Sequence, residues 1–99
     1  MSNPQENKFA NRMRRLRTFL FVPGNHIEKI NKVFGYGADA VILDLEDACA
    51  DRDKVAARTT VVDALKKDHM GLGYVRINAI DTGFCFRDLE AIVGPWLDG

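Results

Sequence analysis

The sequence predicts an α/β domain in which parallel strands alternate with helices. Short apolar and β-branched segments occur three times along the 99-residue chain, and each is followed by apolar residues at helical spacing. The connections between these segments are short. Alternation of this kind favours parallel strands joined by right-handed crossovers. The pattern alone does not distinguish an open sheet from the first part of a barrel.

The composition limits the class of protein. The 14 Lys and Arg residues balance 14 Asp and Glu residues, which argues against bulk attraction to nucleic acid or to anionic membranes. Cys49 and Cys85 have neither CxxC nor zinc-site spacing, as in reduced intracellular proteins. The chain has no apolar run long enough to span a membrane and no apolar secretory core at its N-terminus. We therefore expect a soluble, cytoplasmic protein.

The N-terminal region is polar and differs from the rest of the chain. We predict a flexible arm over residues 1–14 and a folded domain over residues 15–99. Four arginines lie within six positions: Arg12, Arg14, Arg15 and Arg17. A solvated basic arm is the simplest interpretation. The alternative is that Arg17, which directly precedes the first strand, contacts a phosphate or carboxylate.

The first strand is predicted over residues 18–22, which are rich in aromatic and β-branched side chains. Pro23 and Gly24 form a turn, and Asn25 is expected to cap a helix over residues 26–34. The apolar residues of this helix that we expect to pack inward are Ile27, Ile30 and Phe34. The turn lacks the GxGxxG pattern of dinucleotide-binding folds, which disfavours that fold.

The second and third units repeat this arrangement. After the strand described below, Asp51 or Asp53 is expected to cap a second helix. Its apolar residues are Ala57, Val61, Ala64 and Leu65. A third strand over residues 74–78 leads to a third helix, which ends before Pro95. Its apolar residues are Phe86, Leu89 and Val93.

The second strand, within residues 38–47, is the most informative stretch. It is nearly all apolar, as strands covered on both faces are, and it ends in acidic residues. Side chains alternate across a strand, so Ile42, Asp44 and Glu46 share one face. Ligands of parallel α/β folds gather at the carboxyl ends of the strands. The acidic end of this strand is therefore a candidate site.

On the third strand, Arg76 stands in an apolar context and needs an anionic partner. It could pair permanently with Asp44 or Glu46 on the neighbouring strand. It could instead present its guanidinium to a substrate carboxylate while these acids hold it from behind, and the two interpretations are compatible. Glu46 and Asp47 could also bind a divalent cation, although two neighbouring acids are a weak metal signal.

Three motifs in order resemble the N-terminal part of the citrate lyase beta subunit and malyl-CoA lyase family, within the HpcH/HpaI aldolase superfamily. They are RTFLFVPGN at residues 17–25, GADAVILDLEDA at 37–48 and VRINAIDT at 75–82. The resemblance covers residues 15–99. It implies the N-terminal three β-α units of a (β/α)₈ TIM barrel, that is, an incomplete barrel of parallel strands.

The resemblance also implies a magnesium-dependent carbon-carbon lyase. Such an enzyme cleaves a citryl-, malyl- or citramalyl-CoA type of thioester into acetyl-CoA or a related acyl-CoA and a 2-oxo acid. By position, Arg76 would be the catalytic arginine that grips the oxo acid. Phe21 and Val22 would line the substrate pocket, and Lys32 and His26 would lie where the family contacts CoA.

In the family, Glu46 and Asp47 would stand behind the ligands of the metal, and those ligands would lie beyond Gly99. A full barrel takes roughly 250 residues, so we expect the 99-residue chain alone to be inactive. The complete enzyme is expected to form a homo-oligomer. The alternative is a non-catalytic remnant or interaction module that associates through an open sheet edge.

Overall fold

The computed structural model describes residues 16–99, which fold into three strands and three α-helices in strict alternation, with two short 3-10 helices in the connections, Phe34–Tyr36 and Asp51–Asp53. The elements are β1 (Phe19–Pro23), α1 (Ile27–Val33), β2 (Ala40–Asp44), α2 (Lys54–Lys66), β3 (Leu72–Arg76) and α3 (Cys85–Ile92). The sheet is parallel with the order β1-β2-β3. The predicted α/β class is therefore confirmed. The predicted flexible arm over residues 1–14, which contains Arg12 and Arg14, and Arg15 after it lie outside the described residues.

The register of the sheet decides which side chains meet at its carboxyl edge. Pro23 pairs with Asp44, and Asp44 pairs with Arg76, so the last residues of all three strands lie side by side. Phe21 is two residues earlier than Pro23 and therefore lies on the same face as Arg76. This face is opposite to the helices.

The helices pack on the other face of the sheet and form the hydrophobic core with it. The buried apolar residues that the three helices and the sheet contribute to this core include Val22, Ile30, Val41, Leu43, Leu45, Ala57, Val61, Leu65 and Ile92. A Cβ on Gly24 would lie 2.9 Å from the Asp44 carbonyl oxygen and 3.0 Å from a Val61 methyl carbon. Only glycine permits this close approach of β1 to its neighbours.

The third strand is two residues earlier than predicted. It begins at Leu72, whose amide donates to the Asp39 carbonyl at 3.0 Å, directly after Gly71 turns the chain at φ 77°. It ends at Arg76 because the Asn78 amide donates to the Asp88 carboxylate at 3.0 Å instead of extending the ladder. A side chain on α3 therefore ends this strand.

The predicted helix caps are the main local errors. Helix α1 begins at Ile27 with His26 at the N-cap position, and no side chain caps it. Asp53 does occupy the N-cap position of α2, but its carboxylate does not cap that helix. Instead, the Asn25 side-chain amide donates to Asp53 Oδ2 at 3.0 Å. The two residues predicted to cap separate helices join the starts of those helices to each other.

The apolar face predicted for α3 is turned outward. Phe86, Leu89 and Val93 are exposed, whereas Asp88 and Ile92 on the same helix are buried. Helix α3 takes this orientation because Asp88 forms a hydrogen-bonded ion pair with Arg58 of α2. In α1, Ile30 is buried as predicted, but Ile27 is exposed.

The two edges of the sheet differ. Strand β1 carries three exposed apolar side chains: Phe19, Leu20 and Phe21. On the other edge, the last residues of the chain run beside β3. The Asp98 amide donates to the Gly73 carbonyl at 3.1 Å, and the Val75 amide donates to the Gly99 carbonyl at 3.0 Å. Asp98 and Gly99 thus occupy the position of a following strand.

No helix within residues 16–99 combines the length and apolar character needed to cross a bilayer. Cys49 and Cys85 are both buried, and neither forms a disulfide.

Candidate functional site

The centre of the candidate site is an ion pair at the carboxyl edge of the sheet. Arg76 Nε lies 2.9 Å from Asp44 Oδ1, and Arg76 Nη2 lies 2.6 Å from Asp44 Oδ2. This is the bidentate geometry that an arginine makes with a carboxylate. Glu46 is more distant, with its Oε1 atom 3.9 Å from Arg76 Nε. Of the two partners considered for Arg76, Asp44 is the one that binds it directly.

Asp44 and Arg76 differ in exposure. The Asp44 side chain is 1% exposed, whereas the Arg76 side chain is 39% exposed. A guanidinium has five N–H donors, and two of those of Arg76, one on Nε and one on Nη2, bind Asp44. The remaining donors stand on the half-exposed end of the side chain. Arg76 is therefore held from behind while it still faces the open side of the sheet.

Asp44 also organises the turn that follows β2. Its Oδ1 accepts the Glu46 amide at 2.8 Å, and its Oδ2 accepts the Ala48 amide at 3.0 Å. Each oxygen of this buried carboxylate thus receives one arginine donor and one backbone donor. The same side chain fixes Arg76 and the turn that carries Glu46 and Asp47.

The charge state of the pair follows from these contacts. Burial acts to raise the pKa of Asp44, but the hydrogen bonds from Arg76 and from the Glu46 and Ala48 amides outweigh it, and the net pKa is lowered. The hydrogen bond to Asp44 raises the pKa of Arg76 well above its ordinary value despite some desolvation. Both groups are ionised at neutral pH.

This lowered pKa predicts an acid-dependent loss of stability. The Asp44 carboxyl binds a proton more weakly in the folded state than in the unfolded state, so its contribution is complete above the unfolded pKa of about 4. We expect that contribution to be lost as the pH falls through the lowered folded pKa. Urea unfolding at a series of pH values from about 6 to 2 measures it.

The control for this pH dependence is Asp44→Asn, which has no titrating carboxyl group at residue 44. The difference in free energy of unfolding between the two proteins should narrow as the pH falls below about 4. Parallel curves for the two proteins over the whole range would contradict the assignment.

Phe21 lies next to Arg76, as the register requires. The Phe21 ring centroid is 5.1 Å from Arg76 Cζ, within the range of a cation–π contact. Phe21 is exposed, and its ring covers one side of the guanidinium. Val22, the other residue predicted to line the pocket, is buried in the core on the helix side of the sheet. The structure brings Phe21, but not Val22, together with Arg76.

The three basic candidates for CoA binding lie apart from one another. His26 is exposed at the start of α1, which is at the carboxyl edge of the sheet. Lys32 lies in the last turn of α1, and Arg17 precedes β1, so both are at the amino edge. Arg17 Nε lies 3.5 Å from Asp39 Oδ2. Of these three residues, only His26 lies at the carboxyl edge of the sheet, where Arg76 also stands.

A buried polar network that the sequence did not reveal lies beside the acidic turn. Lys54 Nζ donates to Asn78 Oδ1 at 2.6 Å, and Asn78 Nδ2 donates to Asp88 Oδ2 at 2.7 Å. Asp88 Oδ1 in turn accepts from Arg58 Nε at 2.8 Å. The only hint in the sequence is that Lys54 and Arg58 are one helical turn apart and surrounded by acids. Asn78 lies two residues after Arg76, but its side chain binds Lys54 and Asp88.

A groove of about 680 Å³ opens at this edge of the sheet. Its lining includes Glu46, Asp47, Asp51, Asn78, Thr82 and Phe84. This volume is within the usual range for small-molecule sites. Within residues 16–99, no group of three or more His, Cys, Asp or Glu side chains could hold a metal ion. Glu46 and Asp47 are therefore not part of such a group.

A model of the HpcH/HpaI aldolase/citrate lyase family matches residues 17–99. The citrate lyase subunit beta of Leuconostoc mesenteroides subsp. cremoris is 39% identical over 90 residues, which are 89% of this chain and 30% of that protein. The L-malyl-CoA/beta-methylmalyl-CoA lyase of Cereibacter sphaeroides is 41% identical over 75 residues, which are 74% of this chain and 24% of that protein.

The structure also resembles that of a solved relative. The CitE protein of Mycobacterium tuberculosis, in complex with magnesium, acetoacetate and coenzyme A, is 40% identical with a TM-score of 0.65. The match covers 80% of this chain and 29% of that one. The chain thus spans less than a third of the length of these relatives. Its three parallel strands match the N-terminal part of the citrate lyase beta TIM barrel.

Proposed function

Because this chain belongs to the HpcH/HpaI aldolase/citrate lyase family, we propose that it supplies the first three β-α units of a magnesium-dependent carbon-carbon lyase. The complete enzyme would act on the CoA thioester of a hydroxy acid of the citryl, malyl or citramalyl type. The products would be acetyl-CoA or a related acyl-CoA and a 2-oxo acid.

The arrangement of Arg76 is the observation that carries this proposal. Its guanidinium stands at the carboxyl edge of a parallel sheet, where α/β folds bind ligands. Asp44 holds it by two hydrogen bonds and leaves its outer donors available. A 2-oxo acid presents a planar carboxylate, which matches two parallel N–H donors. We assign Arg76 the role of binding that carboxylate.

The surroundings of Arg76 suit a small anionic substrate. The Phe21 ring forms one apolar wall and orients the guanidinium through its face. The groove beside Glu46 and Asp47 offers space for the rest of the substrate. The partly exposed Glu46 carboxylate, 3.9 Å from Arg76, adds negative charge that keeps the arginine in place when no substrate is bound.

Magnesium and CoA come into the proposal from the solved relative, which binds both. Residues 16–99 do not hold a complete set of metal ligands, so no step of the reaction is assigned to a metal bound by them. Glu46 and Asp47 are proposed to stand beside the metal. His26 is the candidate for binding the CoA phosphates, because it lies at the carboxyl edge of the sheet. The roles of Lys32, Arg17 and Val22 stay predictions. The cytoplasmic location and the homo-oligomer also stay predictions.

The test is an assay of the native protein, isolated from its source cells, with citryl-, malyl- and citramalyl-CoA. We expect acetyl-CoA and a 2-oxo acid from one of these thioesters, loss of turnover with a chelator and recovery with Mg²⁺. The purified 99-residue chain serves as the control and should show no turnover. Release of free CoA without an acyl-CoA product would indicate hydrolysis and overturn the lyase assignment.

A second candidate, an interaction module, is favoured by the exposed apolar side chains of β1. Such a module would associate through the edge of this strand. The same preparation distinguishes the lyase from the interaction module. The module would be supported if the native protein has the mass of a 99-residue chain, shows no turnover and self-associates in sedimentation experiments. A larger native mass with lyase turnover would support the enzyme.

A further inference from the structure

We infer that Lys54 is a positioning residue that holds the acidic turn of Glu46 and Asp47 in place at the carboxyl edge. The importance of this turn for catalysis rests on the proposed lyase function. The contacts that carry the inference are independent of it.

Lys54 is the first residue of α2, and its side chain reaches back beneath the turn. Its Nζ atom lies 2.8 Å from the Leu45 carbonyl oxygen, 2.8 Å from the Glu46 carbonyl oxygen and 2.6 Å from Asn78 Oδ1. An ammonium group has three donors and no acceptor. All three donors of Lys54 are therefore used, and the residue is only 4% exposed.

The turn is held from two sides. Its amide groups at Glu46 and Ala48 donate to the Asp44 carboxylate. Its carbonyl groups at Leu45 and Glu46 accept from the Lys54 ammonium. A negative group binds the donors and a positive group binds the acceptors, which leaves the turn little freedom to rotate its peptide planes. The backbone that carries the two candidate carboxylates is fixed by charged groups.

The network behind Lys54 connects the turn to two helices. Asn78 binds Lys54 on one side and Asp88 of α3 on the other, and Asp88 also binds Arg58 of α2. Asp88 is fully buried, so its carboxylate needs both Asn78 and Arg58. An apolar side chain in place of lysine would leave the Leu45 carbonyl and Asn78 Oδ1 without a donor, and the Glu46 carbonyl would keep only the Cys49 amide at 3.2 Å. The ammonium, and not only the bulk of the side chain, has a function here.

The first test uses the unmodified 99-residue protein. A buried ammonium with three hydrogen bonds exchanges its protons slowly with water, so the Lys54 Nζ signal should be visible by ¹⁵N NMR near neutral pH. Couplings across the hydrogen bonds should connect it to the Leu45 and Glu46 carbonyl carbons. A Lys54 signal averaged with those of the exposed lysines would overturn the inference.

The second test uses variants and backbone amide exchange. In Lys54→Met, which keeps the unbranched side chain up to the ε position but lacks the ammonium group, exchange at the Glu46 and Ala48 amides should accelerate about 10- to 100-fold, because the hydrogen bonds from a charged group to the turn are lost. Exchange at Leu43 in β2 should change much less. Propylammonium added to Lys54→Ala should restore most of the protection. Lys67→Met removes an exposed charge near the end of the same helix and should leave amide exchange unchanged both in the turn and at Leu43.

Equal acceleration at Leu43 and Glu46, or no effect of propylammonium, would mean that Lys54 contributes only to global stability. If Lys54→Met does not fold, the ammonium spectrum of the unmodified protein decides the question. None of these measurements involves substrate or turnover. A failure of the lyase assay therefore leaves the inference about Lys54 standing, and a failure of these NMR tests leaves the lyase proposal standing.

Discussion

Replacing Arg76 with alanine in the complete form of the proposed lyase is expected to lower kcat/KM for its 2-oxo acid in the condensation direction by about 100- to 1,000-fold. Two charge-assisted hydrogen bonds to the substrate carboxylate would be lost, and a loss of about 3–4 kcal/mol corresponds to that factor. The KM for the acyl-CoA should change much less, since Arg76 stands beside Asp44 and Phe21 and away from the candidate CoA contacts. Steady-state kinetics with each substrate varied in turn measures both effects.

Two further variants separate the role of the guanidinium from the role of its charge. Arg76→Lys keeps the charge but cannot bind Asp44 and a substrate carboxylate with two donors each, so it should recover only part of the activity. Arg87→Ala removes an exposed arginine from α3 and should leave the kinetics unchanged. Thermal unfolding of each variant checks that the fold persists. Unchanged kinetics in Arg76→Ala would limit Arg76 to pairing with Asp44.

Asp44→Ala is expected to reduce the free energy of unfolding by about 2–4 kcal/mol, the largest stability effect of any single site residue. The substitution removes the acceptor for the Glu46 and Ala48 amides and for two Arg76 donors. Arg76 is 39% exposed and can regain water, so its share of the cost is smaller than that of a fully buried partner. Urea unfolding followed by circular dichroism measures the change.

Asp47→Ala is the matched control, because Asp47 is an exposed acid only three residues away. Its effect should stay within about 0.5 kcal/mol. Asp44→Asn keeps one acceptor oxygen, so its effect on the free energy of unfolding should lie between those of Asp44→Ala and Asp47→Ala. If Asp44→Ala proves as stable as Asp47→Ala, the turn must be held mainly by Lys54, and the role given to Asp44 is wrong.

The order of the elements and the parallel sheet could be predicted from the sequence. These properties follow from periodicity, because strand residues alternate between two faces and helix residues recur every three or four positions. Strand β2 was expected to be covered on both faces; four of its five residues are buried, but the helices pack on one face only, and Ile42 on the other face is half-buried. The expectation that Arg76 needs an anionic partner on β2, either Asp44 or Glu46, holds for Asp44, its neighbour in the register, even though the bounds of β3 were wrong by two residues.

Which polar groups bind one another depends on the tertiary structure. Asn25 binds Asp53 instead of capping a helix, and Lys54 binds Asn78, which is 24 positions further along the chain. The outward face of α3 was likewise decided by Arg58 and Asp88. A hydrogen-bond partner is chosen by distance and direction, which arise from the register of the sheet and the crossing of the helices. The periodicity of the sequence gives neither this distance nor this direction, so the network beneath the acidic turn could not be predicted from it.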